Sequence, residues 1–267
     1  MDFEIGFLGY GKMSGAVSRG LDKNGLIPFN RQMASARDRE KLVKGAGLWG
    51  LTPAADNREL VKRCRSVVLG VKPKQIQGIL EEIQDLVGDR LIISMAAGVR
   101  LEDMRPLLPR GANLVRTMPN VAALTGQGAT IICAAPGTSP DSFARAVQIF
   151  GSVGRCFELD ENLFDAGGAV SGSGPAYFFS FMENLIRGAV RLGLPWDTAK
   201  ALVLQTALGS AETAAGNPET HLADLRDMVT SPGGTTAEAL AVMENHGWGG
   251  IVQQALAAAN DKSKKLC

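Results

Sequence analysis

Glu4-Ile5-Gly6-Phe7-Leu8-Gly9-Tyr10-Gly11-Lys12-Met13-Ser14 decides how the first half of the chain reads. Residues 4–9 are an apolar run of the length expected for a buried strand. Residues 12–24 then follow a helical spacing that stops at Gly25. Between them, Gly9-Tyr10-Gly11 supplies a tight turn. Its first glycine permits the bend, and its second lets a pyrophosphate reach the backbone at a helix start. Ser14 occupies the place of a third glycine, and a small residue there still allows close helix–strand packing. A bare G-x-G also fits a plain tight turn. Its position between the first strand and the first helix favours the dinucleotide reading.

Outward from that turn, Ile27-Pro28-Phe29-Asn30 is predicted as a second, weaker strand, with the proline near its start. Residues 38–44 read as helix. Strands are predicted over 66–71, 91–95, 114–116 and 129–133. Ile76, Ile79, Leu80, Ile83, Leu86 and Val87 recur at helical spacing between two of them. This alternation implies an α/β fold, a mostly parallel sheet with helices on both faces. It stops near Leu159-Asp160-Glu161. Beyond lie Ala- and Leu-rich helical stretches over 176–192, 197–215, 237–245 and 249–264, broken at Gly193-Leu194-Pro195, Gly216-Asn217-Pro218, Ser231–Gly234 and Gly247. A dinucleotide-binding domain over 1–160 and a helical domain over 161–267 are therefore expected. Several of the later helices are apolar around much of their circumference, which points to subunit association.

Composition narrows the function classes. The formal net charge is +1, so no nucleic-acid or acidic-membrane partner is expected. The basic group Arg58, Lys62, Arg63 and Arg65 reads as the solvated face of one helix. Cys64, Cys133, Cys156 and Cys267 lack C-x-x-C spacing, and His221 and His246 stand apart. No zinc site, metal centre or disulfide framework is expected. The acidic start Met1-Asp2-Phe3-Glu4 lacks the basic region of a signal peptide, and no apolar run approaches the roughly twenty residues of a membrane span. A soluble, cytoplasmic protein is the expectation.

Ligands of a doubly wound sheet lie beyond the carboxyl ends of its strands. An NAD site would carry Asp or Glu after the second strand. Asn30-Arg31-Gln32 offers none, and Arg31 suits a 2′-phosphate. NADPH is the expected cofactor and NADH the alternative; Arg31 as a mere exposed charge is the plainer reading. Gly70-Val71-Lys72-Pro73 and Met95-Ala96-Ala97-Gly98 end two further strands with small residues and one lysine. Asn120, in Arg116-Thr117-Met118-Pro119-Asn120, can pair with a carboxamide such as nicotinamide's, or make a local turn after proline. Ser171-Gly172-Ser173-Gly174-Pro175-Ala176-Tyr177 fits a close packing contact better than a nucleophilic serine. Ser231-Pro232-Gly233-Gly234-Thr235-Thr236 opens a helix with unpaired amides and two hydroxyls, a seat for a small carboxylate.

Taken together, residues 5–13, 71–73, 95–99, 116–120, 171–177 and 227–240 form an ordered set of motifs over nearly the whole chain. In that set the chain resembles the pyrroline-5-carboxylate reductase family. The resemblance implies a Rossmann-type doubly wound sheet followed by an all-α dimerisation domain, with homodimers assembling into a decamer. It implies NADPH-dependent reduction of 1-pyrroline-5-carboxylate to L-proline. Implied cofactor contacts are Leu8, Gly9, Tyr10, Gly11, Lys12, Met13, Asn30, Arg31, Asn57, Gly70, Val71, Lys72, Pro73, Met95, Ala96 and Ala97. Implied substrate contacts are Ser231, Gly233, Gly234, Thr235 and Thr236, with Thr236 positioning the ring nitrogen. A β-hydroxyacid dehydrogenase would place a lysine on the first long helix of the second domain, and residues 177–192 hold none. A non-catalytic NADP-binding sensor would have no need of the Pro-Gly-Gly-Thr-Thr loop.

Overall fold

The computed structural model describes residues 2–265; Met1, Leu266 and Cys267, one of the four cysteines, lie outside the described residues. Two compact units are present, Met1–Ser173 with Ala259–Cys267, and Gly174–Ala258.

The first unit holds strands β1 Phe3–Leu8, β2 Gln32–Ser35, β3 Thr52–Pro53, β4 Cys64–Leu69, β5 Leu91–Ser94, β6 Asn113–Met118, β7 Gly128–Ala134 and β8 Gly154–Glu158. They form one sheet in the order β3-β2-β1-β4-β5-β6-β7-β8. All neighbours are parallel except β6 and β7, which run antiparallel. The helices are α1 Lys12–Lys23, α2 Arg39–Trp49, α3 Asn57–Arg63, α4 Ile76–Val87, α5 Leu101–Met104, α6 Pro140–Gly151 and α7 Phe164–Gly167. The strand order reverses between β1 and β4. That reversal opens a crevice at the strands' carboxyl ends.

Period-two alternation feeds two cores. Leu8, Val67, Leu69 and Ile92 pack with Leu60 of α3 and with Ile76, Leu80 and Ile83 of α4. Ile5, Phe7, Val68 and Ile93 pack on the other face with Val17 and Leu21 of α1 and Phe150 of α6. With both faces covered, the central strands carry near-continuous apolar runs.

Several features depart from the sequence expectation, among them the strand Thr52–Pro53 and the helix Pro140–Gly151, which it did not include. Residues 27–30 are not a strand: Phe29–Arg31 is a 3-10 turn after Pro28, closed by Arg31 N–H donating to the Pro28 carbonyl at 2.9 Å. Proline has no N–H for a ladder, and the strand starts only at Gln32. β8, reading GRCFE, is a half-exposed edge strand without an apolar alternation. A short helix at residues 222–228 also lay outside the expected elements.

The second unit contains α8 Gly174–Arg191, α9 Trp196–Gly216, α10 Leu222–Met228, α11 Thr235–Asn245 and most of α12 Trp248–Ser263. Phe181 and Trp248 meet with ring centroids 5.4 Å apart and planes tilted by 38°. Large apolar side chains nonetheless face outward: Phe178 is 69% exposed, Leu192 89% and Met228 77%. A water-facing apolar surface of this extent is the mark of an association face. Among the described residues no helix is long and apolar enough to cross a membrane.

Candidate active site

The turn after β1 has the geometry of an anion cradle. Gly9 takes φ +90°, and a Cβ there would lie 2.7 Å from Val71 Cγ1 and 2.8 Å from the Gly70 carbonyl oxygen. Only glycine fits both the conformation and the space. Ser14 is buried, and its Oγ donates to the Gly9 carbonyl at 2.7 Å. Serine thus does more than a third glycine would: it pins the turn to α1. Gly11 is exposed, and a Cβ on it would meet no atom within 4 Å. The space above it is open to a ligand. No side chain caps α1, and its first turn carries no acidic residue. Uncapped amides and the helix dipole then favour a phosphate.

Tyr10 anchors this turn from inside. Its hydroxyl donates to Ser18 Oγ at 2.9 Å, and Ser18 Oγ donates to Gln32 Oε1 at 2.6 Å. Its ring meets Phe7 edge-on at 5.9 Å. Burial is the main cause holding the Tyr10 phenol above its ordinary pKa, so it stays a neutral donor.

A cleft of about 730 Å³ opens beside the turn. Among its walls are Gly9, Tyr10, Gly11, Asn57, Gly70, Val71 and Lys72, all expected from the sequence, and Ser35, Ala36, Arg37, Arg39 and Glu82, which were not. A hollow of similar volume lies among Arg19, Lys23, Asn24 and Ser152, at the other end of α1. It is remote from the glycine turn.

Asn30 and Arg31 do not belong to the cleft. The parallel register pairs Ile5 with Gln32 and Leu8 with Ser35. Arg31 therefore lies at the amino end of β2, roughly 13 Å along the strand from Ser35. There it pairs with Glu4 at 2.9 Å. The expectation failed because it placed the strand's end where the strand begins. Ser35-Ala36-Arg37, at the carboxyl end of β2, lines the cleft instead, and it too lacks a carboxylate.

Asn120 is likewise corrected. Its side chain is buried, its amide nitrogen donates to the Ser171 carbonyl at 2.9 Å, and its oxygen accepts from Ala129 N–H at 3.2 Å. It ties the loop after β6 to the start of β7 and to residues 168–172. The glycines there accept Met118: a Cβ on Gly168 or Gly172 would lie 2.9 or 2.7 Å from its Cε. Leu8 is fully buried, with its carbonyl accepting from Gly70 N–H at 2.8 Å. It supports the turn and leaves only its chain neighbours to face a ligand. Lys12 and Met13 begin α1, and Met95, Ala96 and Ala97 follow β5 at the same edge, with Ala96 buried and Ala97 exposed. Pro73 lines a separate hollow of about 550 Å³ with Gly98, Val99 and Leu107.

Elsewhere in the first unit, buried Arg116 pairs with half-buried Glu161. Arg116 Nη1 and the Leu101 N–H both donate to Glu161 Oε1, at 2.8 and 2.7 Å, and the guanidinium lies 4.6 Å above the Phe164 ring. This fastens the segment after β8 to the loop that follows β5.

In the second unit, the loop before α11 is shaped by its glycines. Gly233 takes φ +66°, and a Cβ on Gly234 would fall 2.4 Å from Ser231 Oγ. Gly234 N–H donates to the Ser231 carbonyl at 3.0 Å, and no side chain caps the helix. Ser231, Gly233, Gly234, Thr235 and Thr236 come together here, with Thr235 exposed and Thr236 half-buried. Open amides and two hydroxyls at one helix start can hold a carboxylate.

A doubly wound sheet with an open glycine turn at its switch point defines a Rossmann-type dinucleotide-binding protein. The chain is 33% identical to a pyrroline-5-carboxylate reductase of Pisum sativum, over 99% of this chain and 96% of that one. It belongs to the pyrroline-5-carboxylate reductase family. The family model described as pyrroline-5-carboxylate reductase dimerisation matches residues 161–266. A model described as NADP oxidoreductase, coenzyme F420-dependent, matches residues 4–98. Among solved structures, a pyrroline-5-carboxylate reductase from Coxiella burnetii is similar with a TM-score of 0.93 and 36% identity, covering 100% of this chain and 99% of that one. The Plasmodium falciparum pyrroline carboxylate reductase, solved with NADP bound, has a TM-score of 0.88 at 30% identity, covering 99% and 98%.

Proposed function

We propose that this protein reduces 1-pyrroline-5-carboxylate to L-proline with NADPH. Its family membership supports the reaction, and the Plasmodium relative with NADP bound supports the coenzyme. The observation that carries the reading is the open, uncapped glycine turn of α1 in a chain of that family. The turn at Gly9–Gly11 and the first amides of α1 would hold the pyrophosphate. Ser35, Ala36, Arg37 and Asn57 would hold the adenosine ribose, and Gly70, Val71, Lys72 and the segment 95–97 the remainder. Arg37 takes the role expected of Arg31, that of a cation for the 2′-phosphate.

Bound NADPH supplies the hydride. The chain's own work is to bind and orient. The amides at the start of α11 would hold the substrate carboxylate, and Thr236 would position the ring nitrogen. A threonine hydroxyl is a weak acid, so the substrate brings its own proton as the iminium, the better electrophile. Orientation then lowers the barrier without any histidine or paired carboxylates.

The protein acts as a homo-oligomer in this reading: a dimer formed by the helical region, and from dimers a decamer. The outward apolar residues Phe178, Leu192 and Met228 support association. A cytoplasmic location goes with it, supported by the free thiols Cys64, Cys133 and Cys156. The test is loss of NADPH absorbance with pyrroline-5-carboxylate, beside a β-hydroxyacid and NADP+. Turnover of the imine alone supports the proposal. Turnover of the hydroxyacid alone, or of neither, refutes it.

A further inference from the structure

The strand order gives the coenzyme cleft a direction. Ser35 ends β2, the glycine turn follows β1, and Gly70-Val71-Lys72 follows β4, with β2, β1, β4 and β5 side by side in the sheet. With the adenosine ribose at β2 and the pyrophosphate at the start of α1, the other half of the coenzyme reaches β4 and then β5. From β2 to β5 is three strand spacings, roughly 14 Å. Met95-Ala96-Ala97, where the chain leaves β5, therefore meets the nicotinamide half.

Two buried hydroxyls shape that exit. The pairing of β5 with β6 ends at Ser94 and Arg116, while β6 runs on through Thr117 and Met118 beside β7. There Thr117 Oγ1 donates to the Ser94 carbonyl at 3.1 Å, and the Ala96 N–H donates to Ser94 Oγ at 3.2 Å. Ser94 is fully buried and Thr117 nearly so. A carbonyl only accepts and an amide N–H only donates, so each bond has one direction. Side-chain bonds of this kind offer the backbone a turn in place of the ladder. Ala96 is buried in that turn, and Ala97 is left exposed. We propose that Ser94 and Thr117 are positioning residues for the nicotinamide half of the coenzyme. From beneath, they fix the height of residues 95–97 against the hydride-bearing ring, and neither touches the coenzyme itself. The inference rests on the dinucleotide reading given above and deepens it.

Half-coenzyme titration tests this without turnover. Thr117→Val keeps the branched shape and loses the donor. Thr117→Ser keeps the donor in a smaller side chain. Ser94→Ala removes the acceptor for the Ala96 amide. Each protein is titrated by calorimetry with NADPH and, separately, with 2′,5′-ADP, which carries the adenosine half alone. Thr117→Val and Ser94→Ala should bind NADPH about three- to tenfold more weakly, the effect of one lost hydrogen bond. Their affinity for 2′,5′-ADP should stay within about twofold of wild type, and Thr117→Ser should hold both affinities within about twofold. A merely structural role would weaken both ligands together. Parallel losses, or NADPH binding unmoved by the loss of either hydroxyl, overturn the inference while leaving the functional reading intact. Should Ser94→Ala fail to fold, the two Thr117 variants decide alone. Wild-type protein that binds neither ligand overturns the functional reading, and the inference falls with it.

Discussion

Gly9 N–H donates to the Ser35 carbonyl at 2.9 Å, joining the end of β1 to the end of β2. This bond carries the glycine turn and the Ser35-Ala36-Arg37 corner to the same level of the sheet. Arg31 is left at the far end of β2, beside Glu4.

Arg37→Gln should therefore weaken NADPH about five- to twentyfold, with little effect on NADH, as loss of one charge-assisted contact to a phosphate would. Arg31→Gln should leave both affinities unchanged. Fluorescence titration of the two variants with both coenzymes checks this. A selective loss in the Arg31 variant instead would return the 2′-phosphate site to the amino end of β2.

Thr236→Val keeps the shape of the α11 start and removes one hydroxyl. Turnover should fall about tenfold or more while NADPH affinity stays the same, since the glycine turn and its cleft are built by the first unit and Thr236 belongs to the second. Steady-state kinetics paired with coenzyme titration separate the two effects. Wild-type turnover in this variant would remove Thr236 from the substrate site.

Glu161→Ala leaves the Arg116 guanidinium, whose side chain is only 6% exposed, without its carboxylate. A buried ion pair broken on one side costs roughly 3 kcal/mol. The denaturant midpoint should drop accordingly, and less in Glu161→Gln, which keeps an acceptor. An unmoved midpoint would mean that Arg116 reaches another partner or water.

Thr130 is fully buried in β7, and its hydroxyl oxygen has no hydrogen-bond partner among the described residues. Thr130→Val keeps the branched shape without the polar atom. It should raise stability by about 1 kcal/mol, visible as a higher melting temperature. A lower one would show that the hydroxyl is satisfied by water.

Local chemistry made some of this arrangement legible in the sequence. An apolar run ending in Gly9-Tyr10-Gly11 announced β1, the turn and α1 within the span of a few bonds. The loop before α11 was readable because Pro232, Gly233 and Gly234 carry their conformational preferences with them. β2 was not readable. Gln32-Met33-Ala34-Ser35 has no β-branched residue, and it is a strand because it pairs with β1 and β3 and is buried at all four positions. The misplaced strand carried Arg31 into the cofactor site and hid Arg37. Asn120 shows the same limit. An amide after a proline can serve a ligand or a turn, and only its burial against Ser171 and Ala129 decided between them.

The central claim is that this protein delivers hydride from NADPH to a carboxylate-bearing cyclic imine. The most direct measurement uses NADPH deuterated at the transferring position of the nicotinamide, with unlabelled pyrroline-5-carboxylate and mass spectrometry of the product. The account predicts L-proline with one deuterium, on the ring carbon of the former C=N bond. Proline without deuterium, or no proline with the deuterated coenzyme intact, would contradict it.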